Sequence, residues 1–195
     1  MARKRGLTVD DVIEAAAEVA DAEGLGGVTL AAVAKRVGVR SPSLYAHVDG
    51  LDGMRRLLAL RAARELERTL RDAARDTGLE EALRSLAHAY RRFARRRPGL
   101  YDAVQRAVRP GEDDELYQAL AQAAAPVIDA LRQSGVPSDH LIHLARAIRS
   151  ALHGFVELER ASGFGMPESV EESFERLVDL LLFGVRAAAD PEAGT

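Results

Sequence analysis

Apolar residues recur at helical spacing along nearly the whole chain, and no segment carries a credible strand pattern. The first amphipathic stretch covers residues 8–23, with Val9, Val12, Ile13, Ala16, Ala17 and Ala20 on one side. Thr8 with Asp11 three residues on approximates a capping box, Asp standing in place of Glu. Gly24, Gly26 and Gly27 end that helix. A second begins after Thr29, whose hydroxyl can accept an orphan amide of the opening turn. Leu30, Val33, Ala34 and Val37 share its inner face. Gly38 follows where a left-handed residue is favoured after a helix. The chain then restarts at Ser41-Pro42, which predicts Ser41 as N-cap and Pro42 at the first helical position, where its missing N–H costs nothing. This third short helix carries Ser43, Tyr45 and His47.

Six further helices are predicted. They cover 51–76, rich in Leu and Arg, and 79–97, with Leu83, Leu86, Tyr90 and Phe93 on one stripe. Pro98-Gly99 ends the latter, and 100–108 is short. Residues 115–133 form another, with Pro126 expected to kink it, and 139–160 and 167–189 are the last two. Residues 109–114 read as a polar loop and 190–195 as a frayed tail. The segment from Leu177 to Phe183 is apolar almost all round, so one packed face cannot account for it. The preceding helix is similarly broad. A second copy of the chain would cover the surplus; an oversized monomer core is the alternative. The fold class is therefore all-α, with about nine helices: a three-helix head over 1–50 and a larger body over 51–195, residues 51–76 linking them.

Composition narrows the class. At 47% hydrophobic and 29% charged residues, the 195-residue chain is ordinary for a globular protein. No run approaches the ~18 apolar residues of a membrane helix, and the basic start lacks the apolar stretch of a signal peptide. The absence of cysteine excludes disulfides, thiolate metal sites and thiol nucleophiles. The cytoplasm is the expected compartment. Net charge is −3, but it is unevenly spread. Residues 84–109 hold eight Arg against one acid, whereas 110–195 hold six Arg against fifteen acids. Such a chain does not coat DNA non-specifically, but a local basic patch suffices for phosphate contact.

Two helices joined by a short turn, the second exposing polar and aromatic tips, match the geometry of a major-groove reader. A packed helical hairpin with no nucleic-acid role is the alternative. The flanking Arg3-Lys4-Arg5 could lie along a groove or on phosphates, or could be a solvated tail. Over residues 8–48 the chain resembles the TetR family of bacterial transcription regulators, most specifically in Val28-Thr-Leu-Ala-Ala-Val-Ala-Lys-Arg-Val-Gly-Val39 and Ser41-Pro-Ser-Leu-Tyr-Ala-His47. The resemblance implies that Arg40, Ser41, Pro42 and Ser43 approach base edges of double-stranded DNA. It implies that Tyr45 and His47 contact phosphates, with Thr29 and the Arg3-Lys4-Arg5 arm assisting. Two positions depart from the family: Ala46 replaces a bulky residue and Leu51 stands where a Lys is common. Affinity should therefore lean on Arg40, the arm and Arg55 or Arg56. Tyr90–Tyr101 and Ala151–Phe155 resemble, less specifically, a C-terminal subclass of the family, with Leu152 replacing Trp in Trp-His-Gly.

The implied function is a ligand-responsive regulator, most simply a repressor. It would act as a homodimer on a palindromic operator and join through 139–160 and 167–189. Polar residues on otherwise apolar faces are the candidates for an unidentified small-molecule effector: Tyr101, Gln105, Tyr117, His143, Arg146, Ser150 and His153, with His88 beside them. His153 before Gly154 is the best single choice, because Gly lets another group approach closely. The alternative class is an all-α enzyme or metal bundle. His140 and His143, three apart, could chelate a metal with His153, Glu157 or His88. No His-Glu-x-x-His, phosphate loop or nucleophile elbow is present, however, and neither a cofactor nor a resident metal is expected.

Overall fold

The computed structural model of the chain describes residues 6–75, 79–107, 111 and 114–190. Eight α-helices and two 3-10 helices occur among them, and no strand. The α-helices are α1 (Val9–Glu23), α2 (Leu30–Val37), α3 (Gly50–Ala73), α4 (Leu79–Arg96), α5 (Pro98–Gln105), α6 (Glu115–Gln133), α7 (Leu141–Arg160) and α8 (Val170–Ala189). The 3-10 helices are Leu25–Gly27 and Ser41–Ala46. With the Ser41–Ala46 segment as the third helix, the architecture is the expected nine-helix all-α fold. The tail at 191–195 and most of the loop at 109–114 lie outside the described residues.

The chain divides into two compact units that do not follow the sequence boundary at residue 50. One holds residues 1–65 and 94–121; the other holds 66–93 and 122–195. The division falls inside α3, α4 and α6.

In the first unit, local sequence chemistry sets the ends of α1. Thr8 and Asp11 complete the capping box, each side chain bonding the other residue's backbone N–H. Val12, Ile13, Ala16, Ala17 and Ala20 are buried as expected, whereas Val9, in the opening turn, is exposed. The start of α5 lies directly on α1. A Cβ added to Gly99 would sit 2.1 Å from the Ala20 carbonyl carbon, so only glycine fits there. The Asp21 carboxylate accepts from the Gly99 N–H at 2.9 Å and the Leu100 N–H at 3.4 Å. It thereby caps α5 from another helix, where an anion is favoured by the helix dipole. Arg97, the N-cap of α5, bonds Asp21 at 2.7 Å and Glu65 at 2.6 Å. Pro98 therefore opens α5 at its first position rather than only ending α4.

In the second unit α4, α7 and α8 close around one buried guanidinium. Arg91 is 4% exposed. It grips Glu159 of α7 through Nε at 3.0 Å and Nη2 at 2.6 Å, and Glu171 of α8 through Nη1 at 2.9 Å. Its carbon lies 4.4 Å from the centre of the fully buried Phe174 ring and 5.6 Å from Phe155. Phe155 in turn meets Phe164 and Phe174 at 4.8 and 5.1 Å between ring centres. The Glu159 hydrogen bond holds the Arg91 group charged against the effect of burial, raising its pKa. Ser169 caps α8 by accepting from the Glu172 N–H, so this helix begins three residues later than the apolar pattern suggested. Likewise α7 begins at Leu141 rather than 139, with no side-chain cap at His140. Pro126 lies buried inside α6.

Candidate nucleic-acid interface

The geometry of the helix pair follows from two capping residues. Thr29 accepts the Ala32 N–H at 3.1 Å and starts α2. At the other end Gly38 adopts the left-handed conformation, φ 74° and ψ 31°. The Val39 N–H donates to the Ala34 carbonyl at 3.0 Å and the Gly38 N–H to that of Lys35 at 3.3 Å. These two bonds form a Schellman motif, which fixes the direction in which the chain leaves α2.

The third helix corrects one expectation. It is a 3-10 helix, and Arg40, extended at φ −85° and ψ 146°, is its N-cap, with no side-chain cap bond. The Arg40 carbonyl accepts the Ser43 N–H at 2.9 Å, so the first turn closes one residue earlier than a Ser41 cap requires. Pro42 accordingly stands second in the helix. In a 3-10 helix, side chains at i and i+3 eclipse. Leu44, fully buried, anchors one row, with the half-buried Ser41 and His47 beside it. The two other rows, Arg40–Ser43–Ala46 and Pro42–Tyr45, face solvent, and Tyr45 is 63% exposed. Thus Arg40, Pro42, Ser43 and Tyr45 share an exposed surface, whereas His47 is half-buried in the anchored row. Thr29 is exposed at the start of α2. Arg3, Lys4 and Arg5 lie outside the described residues.

Ion pairs decide which cations remain for phosphates. Arg36 bonds Glu18 at 2.6 Å, Arg56 bonds Asp114 at 2.8 Å, and Arg61 pairs with Glu14. Lys35, Arg40 and Arg55 are exposed and have no ion-pair partner among the described residues. Of Arg55 and Arg56, only Arg56 has an ion-pair partner among the described residues. Burial works to raise the Asp114 carboxyl, but the Arg56 guanidinium and the Leu116 N–H outweigh it and hold the group below the usual carboxylate range.

The effector candidates are distributed over both units. Tyr101, fully buried, and the half-buried Gln105 and Tyr117 belong to the first unit. His143, Arg146, Ser150 and His153 lie on α7 in the second. Of these, His143, Arg146 and Ser150 are exposed on the protomer and do not point inward between helices as expected, because they fall on the face of α7 opposite Leu141, Ile148 and Leu152. His153 is half-buried. The sequence reading missed the polar centre that does form in that unit, Arg91 with Glu159 and Glu171. Its signal was Arg91 falling on the same stripe as Ala87 and Ala94, obscured by the neighbouring arginines.

Comparison with known proteins gives concordant matches. Residues 12–49 match the sequence profile of bacterial regulatory proteins, tetR family, and residues 83–181 match that of the tetracyclin repressor-like C-terminal domain. The chain is 37% identical over 186 residues to YobS of Bacillus subtilis, described as an uncharacterized HTH-type transcriptional regulator, covering 95% of this chain and 96% of that one. It is 36% identical over 159 residues to an HTH-type transcriptional regulator of Mycobacterium tuberculosis, covering 82% and 73%. Its fold is shared with a TetR variant of Acinetobacter baumannii, whose structure is in complex with minocycline. The TM-score is 0.68 at 20% identity, over 92% of this chain and 96% of that one.

Proposed function

Because the chain belongs to the TetR family of DNA-binding transcription regulators, we propose that it is a ligand-responsive repressor that binds a palindromic operator as a homodimer. The observation that carries this reading is the pair of solvent-facing rows on the Ser41–Ala46 helix, held out by the buried Leu44. Arg40 and Ser43 are assigned to base edges. Tyr45, His47, Thr29, Arg55 and the Arg3-Lys4-Arg5 arm are assigned to phosphates, which position the protein without reading sequence. Residues 1–50 then read DNA, and 51–195 serve dimerisation and effector binding, with Arg55 at the start of the linking helix adding a phosphate contact. The seam is assigned to the outward faces of α7 and α8, where Leu180 and Phe183 are 68% and 69% exposed. Leu182 packs inward and is left out of the assigned seam. Two such heads related by a two-fold axis suit half-sites about one DNA turn apart. An effector that shifts the equilibrium between two arrangements of the heads changes operator affinity roughly 5- to 150-fold.

The experiment is a binding titration on DNA flanking the protein's own gene, followed by base-preference profiling of variants. Arg40→Ala should relax preference at one symmetric pair of positions, because a good bidentate contact gives ~1–3 kcal/mol of discrimination. Tyr45→Phe should weaken binding to every sequence about equally. No binding to any palindromic fragment would refute the reading. An Arg40→Ala profile that is uniformly weaker but unchanged in shape would reassign Arg40 to the phosphates.

A further inference from the structure

Beside the Arg91 centre, α4 and α8 bring together three groups of a different chemistry. His88 lies three residues before Arg91, and Glu171 and Glu175 stand one turn apart on α8. One ligand atom from each of the three lies within 4.8 Å of the other two. We propose that His88, Glu171 and Glu175 bind a single divalent transition-metal ion, with Zn(II) as the probe. The proposal does not rest on the DNA-binding reading.

Geometry is the first support. Metal–ligand bonds of about 2.0–2.2 Å in a tetrahedral site place neighbouring ligand atoms about 3.3–3.5 Å apart. His88 Nε2 and Glu175 Oε1 are 3.2 Å apart, already close to such an edge. Glu171 completes the set, with a ligand atom within 4.8 Å of the other two. Its side chain is 62% exposed, which leaves room for the ion to enter and for water as a fourth ligand.

Charge is the second. Four carboxylates surround His88 and its neighbours: Glu159, Glu171, Glu175 and Asp179. Arg84 and Arg91 pair with members of this group across helices. Carboxylates gathered beside an imidazole are the donor set a divalent transition-metal ion takes. Each arginine takes the Oε2 of one ligand carboxylate, Arg84 that of Glu175 and Arg91 that of Glu171. Arg84 makes its short bond, 2.6 Å, to Asp179 and only a 3.4 Å one to Glu175 Oε2, leaving Oε1 towards His88. Arg91 donates two of its three bonds to Glu159. Hydrogen bonds of this kind from a surrounding layer orient metal-ligating carboxylates. The edge-on contact of His88 with Phe174, 5.3 Å between ring centres, holds the imidazole plane in turn.

Calorimetric titration of Zn(II) into the full chain, with any purification tag removed, tests the site. One Zn(II) per chain is expected. Losing an outer-layer partner typically costs 10–100-fold in metal affinity, so losing a ligand should cost at least about tenfold. His88→Ala, Glu171→Gln and Glu175→Gln should each show that loss. The double change His140→Ala with His143→Ala, which removes the other His pair, should leave affinity unchanged. Co(II) should give the intense visible absorption of a four-coordinate site in the wild type and not in the His88 variant. Circular dichroism checks folding, and the exposed Glu171→Gln serves where His88→Ala fails to fold. Absence of Zn(II) binding at micromolar concentration, or full affinity in Glu171→Gln, overturns the proposal and leaves the three groups as an ion-pair cluster.

Discussion

Asp114 shows how a single residue ties a pH dependence to a contact. Its carboxylate accepts from Arg56 of α3 at 2.8 Å and from the Leu116 N–H at 2.7 Å in the opening turn of α6. Both bonds favour the charged form, so the folded pKa lies below the ordinary 3.8. A group of that kind contributes stability that is fully present above the unfolded value and lost as pH falls through the lower folded one. Asp114→Asn should therefore be less stable than the wild type near neutrality, and the gap should close below pH 3.8. Urea unfolding at a series of pH values measures it; a gap that widens in acid would contradict this account. Arg91 is the opposite case, a cation whose loss strands its partners. Arg91→Met keeps the apolar stem but removes the two bonds that Arg91 gives the largely buried Glu159. Breaking a buried pair in this way costs about 3–5 kcal/mol, at the lower end here because Glu171 is solvated. A second change, Glu159→Gln, should recover part of that loss, read as the midpoint of urea unfolding.

At the level of elements, what was legible in the sequence was what is local. Thr8 with Asp11, Thr29 and Gly38 all act where a short-range capping rule places them. The recognition helix was legible in position but not in its cap, because the sequence rule assumed α spacing. A 3-10 turn closes on the carbonyl three residues back, which moved the cap from Ser41 to Arg40. The boundary at Pro98 was misread for a related reason: the same proline can end one helix and open the next, and the deciding contact, Asp21 on the Gly99 amide, is distant in sequence. His143, Arg146 and Ser150 stand exposed because polarity on an apolar stripe does not say which of a helix's two faces looks inward. On α8 that ambiguity gives a direct test. Leu182 is 5% exposed, so Leu182→Arg should cost several kcal/mol and unfold or badly destabilise the chain. Leu180→Arg, on the outward face, should leave a folded, helical monomer with operator affinity reduced toward that of one head. Sedimentation and thermal melts of the two variants separate core from seam; a stable Leu180→Arg dimer would place the interface elsewhere.

For the whole molecule, the discontinuity of the first unit governs the order in which it can be made. The DNA-reading helices are complete by residue 46, yet Ala20 and Asp21 wait for Gly99 and Arg97, and Arg56 and Arg64 wait for Asp114 and Glu115. At a synthesis rate of about 5–20 residues per second, residues 47–121 take roughly 4–15 s to appear. During that interval the nascent head exposes the small-residue face of α1 that α5 will cover. A fragment ending at residue 75 should therefore be digested rapidly by protease and bind DNA poorly, and adding α5 and the start of α6 should restore protection. The reading surface is thus licensed late, by chain that follows it in sequence, so a ribosome stalled before residue 97 would display a regulator's sequence without a competent regulator.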